Sequence, residues 1–267
     1  MLLSRPPRSR ALAPFVASLW LFRGELAHRR ERVLPNGRMQ LVVNLFEDEL
    51  RDYTSDGVLR HVTSGAALKG AQTRAFVIDT LAQRDVCGVS FVPGGAAAFF
   101  PIPAAEIGEQ ALALDQLWGR AGQRVRERVL EATVPAAQLD VLEAELLEHL
   151  QPGVPREGSF QHACTMLAAG ASVAAVERSL GLSPRVFIAR FRGRSGLSPS
   201  RFARIARFQR LLDETNGTLP WAQLAARHGY ADQAHMIRDF KELAGVTPTG
   251  YRARSPDARN HVAVQPA

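Results

Sequence analysis

The chain has 267 residues, 46% of them hydrophobic and 22% charged, and its 33 Lys and Arg exceed 26 Asp and Glu for a net charge of +7. These proportions suit a globular protein of one large or two ordinary domains and exclude wholesale disorder. With only Cys87 and Cys164, far apart, a disulfide framework, a zinc finger and an iron–sulfur centre are poor candidates. No run of about 18 apolar residues and no signal-type apolar stretch is present, so a soluble cytoplasmic protein with no membrane partner is expected.

The charge is not evenly spread. The breaker-rich stretch Gln151-Pro152-Gly153-Val154-Pro155 divides the chain. Residues 1–155 carry 17 basic and 18 acidic side chains, a net of −1, and residues 156–267 carry 16 and 8, a net of +8. Such asymmetry gives the C-terminal part alone nucleic acid or another anionic surface as partner. Only Lys69 and Lys241 are lysines. Arginine's planar fork suits phosphate and guanine, although a GC-rich genome produces the same bias.

In chain order, Phe15–Phe22, Met39–Phe46, Leu59–Thr63, Ala75–Thr80 and Cys87–Val92 read as strands, with Leu34-Pro35-Asn36-Gly37 as a turn. Their spacing predicts a small antiparallel barrel or sandwich. From Pro103 the period changes to that of helices, over Ala104–Glu109, Leu114–Trp118, Arg124–Glu131 and Ala137–Leu150. Residues 1–150 therefore form a β-rich domain with trailing helices, and 151–157 a linker. Residues 256–267 are expected to be a flexible tail.

Chemistry-bearing motifs are scarce in this part. Phe91-Val92-Pro93-Gly94-Gly95-Ala96 is a Gly-rich turn after a strand, without the Gly-Lys-Ser/Thr of a P-loop. Gly88-Val89-Ser90-Phe91-Val92 is not a nucleophile elbow, lacking glycine two residues after the serine. His28, His61 and His149 have no companions at ligand spacing, so no metal and no cofactor are expected. Cys87 lies in an apolar strand, where a buried thiol is the plain reading. Trp20, Phe22, Phe91, Phe99 and Phe100 line either an apolar pocket or an ordinary core.

The basic part contains an internal repeat. Gly181-Leu182-Ser183, Phe191, Gly196-Leu197-Ser198-Pro199 and Phe202 return as Gly229-Tyr230-Ala231-Asp232, Phe240, Gly245-Val246-Thr247-Pro248 and Tyr251. In each copy an Ala-rich helix (Val173–Leu180 or Trp221–His228) ends at a glycine suited to positive φ. After a short turn, Ser183 or Asp232 caps a second helix, whose inner face carries Phe187 and Phe191 or Met236 and Phe240. Two such units, joined by a long helix over Arg201–Glu214, predict an all-α double helix-turn-helix and an α+β two-domain chain. Outward positions of the second copy carry Gln233, Ala234, His235, Arg238 and Lys241, and those of the first Arg185, Ile188, Ala189 and Arg192. Gln and Arg at the start of such a helix reach adenine and guanine edges in the major groove of double-stranded DNA. An αα-repeat scaffold that binds no nucleic acid is the alternative.

The run Gly229-Tyr230-Ala231-Asp232-Gln233-Ala234-His235-Met236-Ile237-Arg238-Asp239-Phe240-Lys241, with Gly245-Val246-Thr247-Pro248-Thr249-Gly250-Tyr251-Arg252, resembles the DNA-binding domain of AraC/XylS-type transcriptional regulators. The resemblance covers about 100 residues, from about Gly158 to Arg252, within a DNA-binding domain expected over 158–255, and implies that both second helices enter successive major-groove segments. It assigns base reading to Gln233, Ala234 and Arg238 with His235 adjacent, and in the first unit to Arg185, Ile188 and Ala189. Many members have Gln-Arg where this chain has Ile188-Ala189, which shifts the first unit toward shape or phosphate contacts. Ser183, Arg192 and Lys241 are the phosphate candidates.

Residues 1–150 resemble a less characterised domain of some of these regulators, through Leu34-Pro35-Asn36-Gly37, Val43-Asn44-Leu45, the Gly88–Ala97 run and Pro103-Ala104-Ala105-Glu106. By position it senses a small-molecule effector or dimerises, and family habit adds RNA polymerase as a partner. The expected function is sequence-specific transcriptional regulation without catalytic residues. The competing readings are a DNA-anchored enzyme with Cys87 as nucleophile and a non-specific architectural binder.

Overall fold

The structure, a computed structural model, describes residues 1–153, 158–215, 219–255 and 258–264. Its N-terminal part is built on strands β1 (Leu2–Arg5), β2 (Val16–Arg23), β3 (Arg30–Val33), β4 (Gln40–Asn44), β5 (Glu49–Tyr53), β6 (Leu59–Ser64), β7 (Ala66–Lys69), β8 (Phe76–Asp79), β9 (Asp85–Phe91) and β10 (Ala111–Ala113). Helices α1 (Ala104–Ile107), α2 (Leu114–Trp118), α3 (Arg120–Glu131) and α4 (Pro135–Glu148) surround β10 in sequence. A last strand, β11 (His261–Ala263), comes from the far end of the chain. Two antiparallel sheets result, ordered β1-β2-β9-β4-β7-β10 and β11-β3-β8-β5-β6. Both keep free edges, so the fold is an open sandwich and the closed-barrel alternative falls away.

Period-two alternation gives the first sheet two different faces. Leu19, Leu21, Leu41, Val43, Cys87, Val89 and Phe91 face the helices and share a core with Val125, Val129, Leu139, Leu142 and Leu146 of α3 and α4. Ser18, Trp20, Phe22, Gln40, Val42 and Ser90 face the second sheet across a cavity. The five aromatics singled out in the sequence are thereby separated. Trp20 and Phe22 line the cavity, whereas Phe91, Phe99 and Phe100 pack with one another in the core, where Phe100 stacks on Trp118. Gly88 pairs with Trp20 across β2 and β9, and a Cβ there would lie 2.6 Å from the indole. Asn44, fully buried, fixes the turn after β4. Its amide donates to the Glu49 and Ala82 carbonyls at 2.7 and 2.9 Å, and its oxygen accepts from Phe46 and Glu47 N–H.

The C-terminal part is helical: α5 (Gly158–Ala168), α6 (Val173–Leu180), α7 (Pro184–Ser195), α8 (Pro199–Glu214), α9 (Trp221–Arg227) and α10 (Gln233–Ala244). Phe202, Ile205, Phe208, Leu211 and Leu212 of α8 are all buried, which fits a hub helix with an apolar stripe. The glycines after α6, the α9 turn, α7 and α10 (Gly181, Gly229, Gly196, Gly245) all have φ between +63° and +78°. An L side chain is strained there, so glycine ends each helix without cost to packing.

The residues expected to form a flexible tail do not all behave so. Positions 256, 257 and 265–267 lie outside the described residues, but β11 adds as an antiparallel strand to β3, with Val262 buried opposite Arg32. Backbone pairing at a sheet edge is invisible to a composition-based reading of a short polar terminus. The linker expected at 151–157 has its residues 154–157 outside the described set.

The two parts touch through polar and apolar contacts. Ala75 N–H donates to the Leu243 carbonyl of α10 at 2.8 Å, and Arg74 reaches Glu242 at 3.3 Å. Gln209 of α8 donates to the Pro35 carbonyl at 2.8 Å, and Gln161 of α5 to that of Pro93 at 3.2 Å. A Cβ on Gly94 would fall 2.5 Å from the Phe160 ring, and one on Gly95 2.1 Å from the Phe15 carbonyl. The Gly-rich turn is thus filled by protein, and its glycines serve close packing rather than an anion.

Candidate nucleic-acid interface

Each unit presents its second helix differently on two sides. In α7, Phe187 and Phe191 are buried at 2% and 1% exposure, while Arg185, Ile188, Ala189 and Arg192 are exposed at i, i+3, i+4 and i+7. That spacing makes one continuous outward stripe. In α10, Met236 and Phe240 are buried, and Gln233, Ala234, Arg238 and Lys241 are exposed. Among the described residues none of Arg185, Arg192, Arg238 and Lys241 has a carboxylate partner. The sequence-predicted residues are therefore gathered on two helix faces.

Two positions depart from the sequence reading. Ser183 occupies the cap position of α7 with extended backbone, but its side chain accepts no N–H from the helix. The proline that follows is not the cause, since Ser198 stands before Pro199 in the same way and still accepts the Arg201 N–H to cap α8. Asp232 by contrast accepts from His235 N–H at 2.6 Å and caps α10 properly. His235 is only half-exposed: its Nδ1 takes the Ala231 N–H at 3.4 Å and its ring meets Tyr230 edge-on at 5.4 Å. One ring nitrogen is thereby committed to the turn.

The back of α10 is held by ion pairs that sequence reasoning missed. Asp239, 5% exposed, accepts from Arg204 Nε at 2.5 Å and Arg207 Nη2 at 3.4 Å, both from α8. Arg204 also reaches Glu242 at 2.6 Å, and Arg207 lies over the Tyr230 ring at 4.2 Å. Burial pushes the Tyr230 phenol up to about 12, aided by the nearby Asp239 charge. Acidic groups thus face α8 and are neutralised there, which leaves the outer face of α10 polar and basic. Separations of 32 and 35 residues hide these pairs from any local motif.

Cys87, the nucleophile of the enzyme reading, is fully buried, and burial and Asp85 push its thiol far above the ordinary range. Thiolate is the reactive form. Iodoacetamide should leave Cys87 unmodified in the folded protein and alkylate it in denaturant; an adduct under native conditions would overturn the burial. Among the described residues no three His, Cys, Asp or Glu stand close enough to hold a metal, and no helix is long and apolar enough to cross a membrane.

Two helix-turn-helix units with outward basic and amide side chains define a DNA-binding transcription regulator. Residues 176–254 match a helix-turn-helix domain family of AraC type, and residues 4–113 match a domain of unknown function, DUF6597. No curated protein matches the chain. Among solved structures it is similar to unsaturated-fatty-acid-bound wild-type ToxT from Vibrio cholerae strain SCE256, at 10% identity and TM-score 0.44 over 94% of each chain. ToxT from Vibrio cholerae O395 gives 10% identity and TM-score 0.45, over 94% of this chain and 96% of that one.

Proposed function

We propose that the protein recognises a particular duplex DNA sequence by setting α7 and α10 into two major-groove segments, and regulates transcription in the cytoplasm from there. The observation that carries this reading is the two-sided character of both helices: apolar or ion-paired behind, and in front Arg185, Arg192, Arg238 and Lys241, exposed and without a carboxylate partner among the described residues. In the second unit Arg238 reads guanine, Gln233 reads adenine, Ala234 meets a thymine methyl, and His235 has its Nε2 left for a base edge. In the first unit Arg185 is the polar reader, and Ile188 and Ala189 make apolar or shape-dependent contacts. Ser183, Arg192 and Lys241 hold phosphates.

Residues 158–255 form the DNA-binding domain on this reading, joined through 151–157 to a domain over 1–150 that senses a small molecule or dimerises. RNA polymerase is the further partner. Arg238→Ala should weaken the preferred site by about 1–3 kcal/mol and relax one base position, with random DNA bound as before. Lys241→Gln should weaken all sequences alike and reduce the salt dependence by roughly one unit of slope. Fluorescence-anisotropy titrations on specific and random duplexes at several salt concentrations check both. Equal losses on the two DNAs for Arg238→Ala would favour a non-specific architectural binder instead.

A further inference from the structure

The cavity between the two sheets has a volume of about 490 Å³, within the roughly 300–1,000 Å³ range of small-molecule sites. Its walls alternate in chemistry. Trp20, Phe22, Val42, Phe76, Ile78 and Val86 supply apolar surface, while Ser18, Gln40 and Ser90 supply polar groups. Two donors of the wall have no acceptor among the described residues: Trp20 Nε1, and Nε2 of Gln83, a residue more than nine-tenths buried. Buried donors are seldom left unpaired in a native fold, so each marks a place where a partner is missing.

The charges around the cavity do not cancel. Lys69 is paired with Asp52 at 2.5 Å, Arg254 with Glu31 at 3.0 Å, and Arg259 with Asp213. Arg38, at the rim, has no carboxylate partner among the described residues, and desolvation and the nearby Arg259 charge both lower its pKa. A cation in that position is relieved by an anion.

The wall also contains a piece of the chain that follows the DNA-binding domain. Arg259, Asn260 and His261 border the cavity, and β11 closes it beside β3. That segment is tied directly to the helix joining the two units. Gln209 of α8 donates to Asn260 Oδ1 at 2.9 Å, and Arg259 pairs with Asp213 at the end of α8. The Tyr251 hydroxyl donates to the Arg259 carbonyl at 2.7 Å.

We infer that this cavity binds a small anionic molecule with an apolar body, its anion on Arg38 and its acceptors on Trp20 and Gln83, and that β11 transmits occupancy to α8. The binding site stands on the cavity alone; the transmission rests on the regulator reading above.

The test uses the full chain and 1-anilinonaphthalene-8-sulfonate, an apolar fluorophore with one negative charge, beside its uncharged relative N-phenyl-1-naphthylamine. Both should bind saturably at one site. Arg38→Gln should weaken the sulfonate by roughly tenfold, the contribution of one charge-assisted contact, and leave the uncharged probe unaffected. Ser18→Phe, which fills the cavity from β2, should abolish both while thermal unfolding stays cooperative. Should Ser18→Phe fail to fold, the two-probe comparison on Arg38→Gln decides alone. Sulfonate binding that is unchanged in Arg38→Gln, or absent in the wild type, overturns the site. DNA affinity measured with and without saturating sulfonate separates the two claims. A change supports transmission through β11; an unchanged affinity with probe bound overturns transmission and the effector role, and leaves the binding site standing.

Discussion

Phe191→Ala is expected to destabilise the protein by about 3–5 kcal/mol, the range for deleting a large buried aromatic ring. Phe191 is 1% exposed at the centre of an aromatic cluster, 5.1 Å from Phe160 of α5, 5.7 Å from Phe187 and 5.4 Å from Phe202 of α8. Its removal leaves a void shared by three helices, and Phe160 on its far side is also the ring that rests on Gly94. The loss is a large part of the about 5–15 kcal/mol that holds a typical domain together, so DNA binding should fall with it. Ile188→Ala, three residues earlier on the exposed face, should change stability by less than about 0.5 kcal/mol. Urea unfolding of the two variants separates the faces of α7. Equal effects would mean that the inward and outward sides have been interchanged.

Glu31→Gln should produce the second large effect, and one that depends on pH. Glu31 lies on β3 at 1% exposure, and three cationic or ionisable groups converge on it: His261 Nδ1 at 2.6 Å, Arg254 Nη1 at 3.0 Å and His28 Nε2 at 2.9 Å. Burial alone would raise its pKa. The His261 hydrogen bond and charge, the Arg254 charge and the His28 hydrogen bond outweigh this and bring it down to about 2 from 4.5. A folded-state pKa below the unfolded one stabilises the protein fully above the unfolded value, and the gain is lost as pH falls from about 4.5 toward 2. The shift corresponds to about 3 kcal/mol, since each unit is about 1.4. Glutamine removes the charge and leaves Arg254 and the histidines without their partner, so the variant should be less stable at pH 7 by about 3 kcal/mol. Below pH 4 its stability should fall less steeply than that of the wild type. Urea melts at pH 7 and pH 3 measure both, and parallel profiles would mean that Glu31 is not charged and paired in the fold.

The C-terminal half was legible because its signals are local. Glycine at each helix end, the Asp232 cap before α10 and apolar pairs at i, i+4 all act within one or two turns. The residues they specify, Phe187, Phe191, Met236 and Phe240, are the ones found buried. What holds α10 in place was not legible, because Asp239 meets Arg204 and Arg207 across helices far apart in sequence. In the N-terminal half the apolar strands β2, β4 and β9 announce themselves. Strands β3 and β5, read as Arg30-Glu31-Arg32-Val33 and Glu49-Leu50-Arg51-Asp52-Tyr53, do not. Their charged side chains are accommodated by pairing, Glu31 with Arg254 and Asp52 with Lys69, which no hydropathy pattern foresees. The cavity was legible only in part: a pocket was one reading of Trp20 and Phe22, but its other walls come from the second sheet and from the end of the chain, which no local pattern brings together.

Selection of bound duplexes from a random-sequence library, with the full chain at one fixed salt concentration, tests the central claim most directly. Two helices reading two groove segments predict a preferred motif with two separated elements, the one under α10 more sharply specified because Gln233 and Arg238 read bases bidentately. Arg238→Ala should then blur that element alone. Recovery of sequences with no preferred motif, bound with the salt dependence of phosphate contacts only, would contradict sequence-specific regulation by this protein.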